Sequence, residues 1–477
     1  MDAERFADHL AHPRGLGHAP GGEAARDGVA GGAACGDLIR FSLLVVGDRV
    51  ADAGFVASGC GSMIAAGSAA VELVRGAPVL EVARVSTTLL SDALGGLSPG
   101  KLHAADLVAD ALHSALGAAV RASGSLGRAP QRTLVAMSGG VDSAVAALLV
   151  ARAGREAVGV TLELWRDPEN DAEASCCSAD AVRSARALAH RMGLAHLTLD
   201  LRSEFREGVV DPWLADHAAG LTPNPCVRCN GRVRLDAMLD YADRLGAPEL
   251  ATGHYARTRG GDAGGPPRLR VAADPAKDQS YMLAGLAPAS LARLRFPLGE
   301  LAKPQVRALA AEAALPVASK PDSQDLCFLA GTGKAAFLAR HGGQGAEAGR
   351  IVDVAGETIG AHAGHQGFTV GQRRGIGVAG REPLYVLSTD AAANTVTVGP
   401  QAALATTRVR IRDLRLHGGK ADRVKLRYRS RAVGCRIVGD DRLELSEPVD
   451  GAAPGQIACL MRGDEVVGTA TIDSPAA

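Results

Sequence analysis

Three groups of residues in this chain have types and spacings that could do chemistry. The first is Ser138-Gly139-Gly140-Val141-Asp142-Ser143, directly after the apolar run Thr133–Met137. Glycines let backbone N–H groups close around an anion, and the start of a following helix adds its positive dipole end. Ser138 and Ser143 add hydroxyl donors. No Gly-Lys-Ser/Thr follows, so this is not a Walker loop. Asp142 is a poor neighbour for a phosphate unless a metal ion or a leaving pyrophosphate is involved. The second group is Thr222-Pro223-Asn224-Pro225-Cys226-Val227-Arg228-Cys229-Asn230, together with Cys327 in Lys320–Phe328. A C-x-x-C pair in a reducing compartment is redox-active or half of a metal site. No second C-x-x-C is present to close a structural zinc site. The third group is Cys35-Gly36-Asp37 and Gly59-Cys60-Gly61, with His103 further on. Cys35, Asp37, Cys60 and His103 make four ligands on paper, and thiolates suit zinc or iron–sulfur clusters. The adjacent Cys176 and Cys177 read as ordinary residues.

These residues need elements to position them. Thr133–Met137 reads as a short buried strand, and Val141, Val145, Leu148 and Leu149 give the next segment an apolar helical face. Ala157–Leu164, Ala195–Leu201 and Glu249–Ala256 read as further strands, with a helix over Asp180–Met192. Strands alternating with helices imply a doubly wound parallel sheet, with ligands at the carboxyl ends of its strands. The loop at Ser138, then Leu162, then Gly253-His254 fall at such ends, so a nucleotide could lie across all three. The prolines stiffen the C-x-x-C turn, and Asn230 is placed to open the next helix. Before the loop, Leu38–Val46 and Val50–Ala57 read as a hairpin turning at Gly47-Asp48, and Ser62–Val74 and Ala104–Ala119 as helices. Ala122–Gly127 reads as a flexible linker. From Arg408 onward short alternating strands suggest a small β-barrel. Residues 408–436 hold eleven Lys/Arg against two Asp. Alternation in a strand Val424–Tyr428 and beyond would put Arg427, Arg429 and Arg431 on one face, suited to phosphates.

Two resemblances follow from these motifs. Ser138–Ser143 resembles the pyrophosphatase-type loop (PP-loop) of enzymes that split ATP into AMP and pyrophosphate. With Thr222–Asn230, Ala251-Thr252-Gly253-His254-Tyr255, Lys277-Asp278-Gln279-Ser280-Tyr281 and Asp322–Phe328, it recurs in this order in the tRNA-specific 2-thiouridylase (MnmA) family. Phe368–Gly375 and Glu382–Val386 extend the match. The resemblance implies ATP, with magnesium, adenylating O2 of the wobble uridine of tRNA, then replacement of that oxygen by sulfur. It implies ATP-binding residues Ala136, Met137, Ser138, Gly139, Gly140, Val141, Asp142, Ser143, Leu162 and Gly253. It implies tRNA-binding residues Asn224, Pro225, Cys226, His254, Lys277, Asp278, Gln279, Arg427, Tyr428 and Gln456. It makes Cys327 the persulfide carrier and Cys229 its catalytic partner, passing through a Cys229–Cys327 disulfide. Cys226 stands where the family often has aspartate. That leaves Cys226, Cys229 and Cys327 as three thiols able to hold a [4Fe–4S] cluster, so a persulfide route and a cluster route both stand.

The segment before the loop is similar to the iron–sulfur scaffold proteins of the NifU/IscU family. The match rests on His12-Pro13-Arg14, Cys35-Gly36-Asp37, Gly59-Cys60-Gly61 and Lys101-Leu102-His103. The family has a cysteine after that histidine; here it is Ala104. The expected organisation is therefore an α+β scaffold-like domain over 1–122 and a PP-loop ATP-binding domain over 130–275. A tRNA-binding connector over 276–340 and a C-terminal β-barrel over 341–477 complete it.

The bulk numbers agree with several domains. The chain has 477 residues, zero formal net charge and 47% hydrophobic residues, so nucleic-acid binding must come from a local basic patch. No apolar run is long enough for a membrane span, and the acidic, polar start does not read as a signal peptide. Nine cysteines, an odd number, favour reduced thiols and a cytoplasmic location. The expected partners are tRNA and a sulfur donor, either a cysteine desulfurase or a sulfur relay protein, with no membrane. The rivals are an amidotransferase-type ligase with the same loop and a non-enzymatic iron–sulfur carrier.

Overall fold

The computed structural model describes residues 3–31, 36–166, 179–260, 265–322, 326–342 and 347–474. Cys35, Cys176, Cys177 and Ser323–Asp325 lie outside the described residues. The N-terminal region pairs three antiparallel strands in sequence order: β1 (Arg26–Gly31), β2 (Leu38–Val46) and β3 (Arg49–Ser58). Alternation in β2 buries Ile39, Phe41, Leu43 and Val45 against the helix Leu102–Ser123, which is longer at both ends than its sequence periodicity suggests.

The central sheet has five parallel strands. Its order is Leu294–Arg295, β7 (Glu249–Ala251), β4 (Arg132–Ala136), β5 (Glu156–Glu163), β6 (Ala195–Asp200). Chain order reverses between β4 and β7, so the switch-point crevice opens at their carboxyl ends. The helix Val141–Arg152 leaves β4 through the glycine loop. β7 ends at Ala251 rather than at Ala256, because Thr252 Oγ1 turns to His254 Nδ1 at 2.9 Å and Gly253 lies against the backbone of Asp142 and Ser143.

The C-terminal part holds two bodies where one barrel over 341–477 is expected. A four-stranded sheet runs from Gly349 to Gly399. Beyond it, six strands from Ala405 to Ile472 close a barrel, because the last strand pairs back onto the first. The hairpin Arg257–Arg259 with Arg268–Arg270 adds to an edge of that barrel, while Leu294–Arg295 returns to the parallel sheet. The chain thus crosses between bodies on both sides of the expected division at 275/276. Residues 122–127 are not loose either: Ser125 N donates to Gly47 O, Leu126 N donates to Arg244 O, and Leu126 is buried. No described helix is long and apolar enough to cross a membrane.

Candidate functional site

The glycine loop is held open by its own hydroxyls. Ser143 Oγ accepts from Ser138 N at 3.1 Å and donates to Gly140 O at 3.0 Å. Thr161 Oγ1 donates to Met137 O, which ties the loop to β5. Gly139 takes φ +70°, a left-handed conformation that a side chain would strain. Ala136, Met137 and Val141 are buried and form the apolar floor, and Leu162 lies within β5 rather than after it. Gly253 is a close-approach glycine: a Cβ there would stand 2.8 Å from Ser143 N.

Asp142 is the charged centre of the loop. Its carboxylate accepts from Lys303 Nζ at 2.7 and 2.8 Å and from Tyr255 OH at 2.8 Å. Lys303 also meets Asp322 at 2.7 Å, and Asp322 is shared with Lys277 at 2.7 Å and Arg307 at 3.1 Å. Burial alone would raise the Asp322 carboxyl, but hydrogen bonds from Lys277 and Lys303 outweigh it and hold it down to about 2. Lys320 Nζ donates to Gly139 O at 3.1 Å. Lys303, Tyr255 and Lys320 carry no assigned role in the sequence reading. Only the motifs containing Tyr255 and Lys320 signalled them; nothing local marks Lys303, which starts a helix of the connector.

The C-x-x-C lies on one continuous helical run, Pro225–Arg228, Cys229–Arg234 and Leu235–Arg244, the middle piece wound as a π-helix. Asn224 rather than Asn230 caps it, accepting from Cys226 N at 3.1 Å and Val227 N at 3.4 Å. Asn230 lies inside the helix, buried, and donates to Met282 O. Cys226 and Cys229 are one turn apart. Cys229 is buried, its helical piece packs on the stretch Arg202–Val210, and Phe328, next to Cys327, packs on Phe205 of that stretch. Phe328 meets Trp213, Phe205 and Phe337 edge-on, which pins the Cys327 segment. One segment therefore runs between the two: Lys320 bonds to Gly139, Asp322 to Lys303, the cation of Asp142, and Phe328 packs on Phe205, from the stretch against which the Cys229 helix lies.

Several residues expected to touch tRNA make bonds within the protein. Asp278 is buried and accepts from Ala272 N, Ser280 N and Ser280 Oγ, with Lys425 at 3.5 Å. Gln279 Oε1 accepts from Tyr255 N, and Gln456 Nε2 donates to Thr222 O at 2.6 Å, beside the buried Pro225. Lys277 is the cation of Asp322. Burial, then the charge of Arg234, pushes the His254 imidazole down to about 3, so it is neutral at physiological pH. Arg427, Tyr428 and Arg429 do not extend a strand. The strand is Arg423–Lys425, and a turn follows in which Ser430 Oγ donates to Arg427 O and Arg427 Nη2 donates to Val370 O. Arg431 pairs with Glu447. The three arginines therefore share no strand face. Tyr428 is half-buried, 6.3 Å from the Tyr281 ring.

A second centre lies in the N-terminal region. Among the described residues, Asp37, Cys60 and His103 are the only three metal-ligating groups whose ligand atoms fall within 4.8 Å of one another. Cys60 N and Sγ both donate to Asp37, at 3.1 and 3.5 Å, and His103 Nε2 is 3.2 Å from Asp37 Oδ2. Burial would raise the Asp37 carboxyl; these bonds outweigh it and hold it below the usual range. Ala104 is fully buried in the helix core, and Cys60 is exposed. The thiols of Cys226, Cys229 and Cys327 do not form such a group.

Comparison with known proteins matches the whole length. Residues 1–121 match the NifU-like N terminal domain, and 131–331 the tRNA methyl transferase HUP domain. Residues 335–400 match the tRNA methyl transferase PRC-barrel domain and 406–472 the aminomethyltransferase beta-barrel domain. The bifunctional protein NifU/MnmA of Rubrobacter xylanophilus is 42% identical over 97% of both chains. The tRNA-specific 2-thiouridylase MnmA of Rhizorhabdus wittichii is 45% identical over 73% of this chain and 92% of its own. That of Xanthobacter autotrophicus is 44% identical over 70% and 90%. With 97% of its length aligned to a relative of the same composite build, the chain belongs to the bifunctional NifU/MnmA family.

Proposed function

We propose that the chain is a tRNA-uridine 2-sulfurtransferase: it adenylates O2 of the wobble uridine with ATP, releases pyrophosphate, and replaces the activated oxygen with sulfur. The observation that carries this reading is the segment 320–328, excluding 323–325, which bonds to Gly139 and Lys303 at one end and carries Cys327 beside Phe328 at the other. A carbonyl oxygen leaves poorly, so it must be activated where the sulfur arrives. The glycine loop and the helix start behind it receive the phosphates. Lys303 and Lys320 offer positive charge to the leaving pyrophosphate. Asp142 and Asp322 are the hard oxygen ligands that would hold the magnesium accompanying ATP. The neutral His254 ring, bonded to Thr252, suits a base rather than a phosphate as its neighbour.

Sulfur delivery falls to Cys229, buried on its helix, and Cys327, beside the Phe328 that packs on Phe205. A persulfide on Cys327 attacks C2 of the adenylated uridine through its outer sulfur, the C2–O bond breaks, and AMP leaves with the oxygen. Cys229 then bonds to the inner sulfur, which breaks the S–S bond and leaves a Cys229–Cys327 disulfide and the thiolated base. A second reading rests on Cys226, one helical turn before Cys229. Three thiolates are the donor set of an iron–sulfur cluster, which when bound would supply sulfide. Cys226→Asp separates the two. Under the persulfide reading, 2-thiouridine formation and pyrophosphate release both persist. Loss of thiolation together with iron and visible absorbance would favour the cluster. Cys327→Ser should eliminate thiolation while pyrophosphate release continues; thiolation by that variant at the normal rate would sink the assignment.

A further inference from the structure

The N-terminal region closes an edge of the parallel sheet. β6 is the edge strand, and an open edge would leave backbone groups unpaired. Here His196 N, in β6, donates to Ala83 O at 2.9 Å. Ala83 ends the short helix Val79–Val82. The same carbonyl accepts from His190 Nε2 at 3.0 Å, and Val85 O accepts from His113 Nε2 at 2.8 Å. Asp110, on the helix Leu102–Ser123, takes Arg183 and Arg186 of the helix Ala179–Arg191. The N-terminal region thus grips two elements of the sheet region, the strand β6 and the helix Ala179–Arg191, which also carries His190.

Each of these two elements reaches the glycine loop. His196 Nε2 is 2.8 Å from Thr161 Oγ1, which is 2.8 Å from Met137 O. A carbonyl oxygen only accepts, so the Thr161 proton goes to Met137 O, and the threonine oxygen receives the Nε2–H of His196. The His196 proton is therefore fixed on Nε2, and its Nδ1 is buried with no partner among the described residues. Burial, then the charges of Arg186 and His190, holds this imidazole far below its ordinary pKa, so the ring stays neutral. Gly159 of β5 makes room for the contact: a Cβ there would stand 2.9 Å from Met137 Sδ and 3.1 Å from His196 Cδ2. The helix Ala179–Arg191 touches the loop directly. A Cβ on Gly139 would meet Ala181 O at 3.3 Å and Ala185 N at 3.6 Å.

We infer that the N-terminal region braces the glycine loop for ATP, with His196 as a positioning residue. Its Nε2–H, through Thr161, sets the Met137 carbonyl at the mouth of the loop, while Asp110 holds the helix on which Gly139 rests. A histidine that uses one nitrogen and leaves the other unpaired in the core is costly, where an apolar side chain would not be. Holding the loop accounts for that residue. Backbone N–H groups that already point at the phosphates bind them without an ordering cost, so loosening the brace weakens ATP binding. Adenylation then depends on the interface with the N-terminal region, whatever sulfur that region carries. This inference rests on the ATP reading of the loop given above.

The test follows pyrophosphate release by the full-length chain at varied ATP, with magnesium and saturating tRNA. His196→Leu removes the donor and should raise the KM for ATP about fivefold, the scale of one net hydrogen bond. His196→Gln keeps an N–H of similar reach and should return the KM to within about twofold of wild type. Asp110→Asn should raise the KM at least about threefold, because Arg183 and Arg186 lose their shared counter-charge. Arg121→Ala is the control: Arg121 Nη1 donates to Asp200 O at the same interface but lies on neither path to the loop, so its KM should stay at the wild-type value. A wild-type KM in His196→Leu overturns the inference, and so does a His196→Gln chain no better than His196→Leu. If His196→Leu does not fold, Asp110→Asn decides: a wild-type KM there, or one matched by Arg121→Ala, overturns the brace. A wild-type chain that releases no pyrophosphate from ATP with tRNA is a different result, and means that the ATP reading itself has failed.

Discussion

Asp37 and Asp142 make an instructive pair. Each is a carboxylate beside the start of a helix that follows a strand, one in the N-terminal region and one at the parallel sheet. Asp142 already faces a fixed ammonium, Lys303, and a phenol, Tyr255. Asp37 faces a thiol and an imidazole, both of which can lose a proton and become ligands. The first centre has its charge balanced by the chain, and under the proposed function it would meet an anion with a hard metal. The second presents a carboxylate, a thiol and an imidazole around one point, a donor set that would suit a soft or borderline cation. Two carboxylates with similar local settings thus acquire different chemistry from what packs opposite them.

The strongest way to break this comparison is Lys303→Met. It leaves Asp142 and Asp322 close together without their shared cation. Pyrophosphate release in the presence of tRNA should fall by about 10²-fold or more, the scale for losing one preorganised charge-stabilising donor. A rate within a few-fold of wild type would show that the loop needs no balancing charge.

Next in size is Asp37→Ala. Zinc titrated into the metal-free protein should bind through Asp37, Cys60 and His103 with release of the thiol proton. The substitution should weaken that binding at least about tenfold, and Lys303→Met should leave it unchanged. Calorimetry that finds equal affinity in wild type and Asp37→Ala would remove the cation-site reading.

The smallest effect sharpens the loop side and is read from pH. The Asp322 carboxyl is held down to about 2 in the folded chain, below its ordinary 3.8. A depressed carboxyl contributes stability above its unfolded value, and loses it as pH falls through the folded one. The gap in unfolding free energy between wild type and Asp322→Asn should be about 2 kcal/mol near neutrality. It should shrink below about pH 4 and lose that share near pH 2. A gap constant down to pH 2 would mean that Lys277 and Lys303 do not hold this carboxylate.

Much of the loop centre was legible because it is local. Strand, glycine turn and helix follow one another within Thr133–Arg152, so period and residue type report them directly. The β2–β3 hairpin and the alternation of the barrel are legible for the same reason. The shorter β7 was not, because Gly253 leaves the strand to pack on Asp142 and Ser143, a contact between distant segments. The Arg427–Arg431 stretch keeps a strand-like alternation, yet Ser430 closes a turn there and Arg427 reaches back to Val370. Asn224 and Asn230 are both plausible caps by type; only the helix geometry chooses the first.

By itself the sequence determined which chemistries the chain carries: an anion-binding loop, a C-x-x-C with a distant third cysteine, and a separate set of metal-ligating residues. Those are properties of neighbours along the chain, and the periodicities of helix and strand are enough to place them. The tertiary structure alone decided what each group works against. Lys303 reaches Asp142 across 161 positions of sequence. The helix Leu102–Ser123 docks on the edge strand β6, with Gly117 against Thr198 O, and so fixes the N-terminal region to the sheet. No local period encodes either fact, because both depend on which buried faces meet when the sheet, the helices and the barrel pack together.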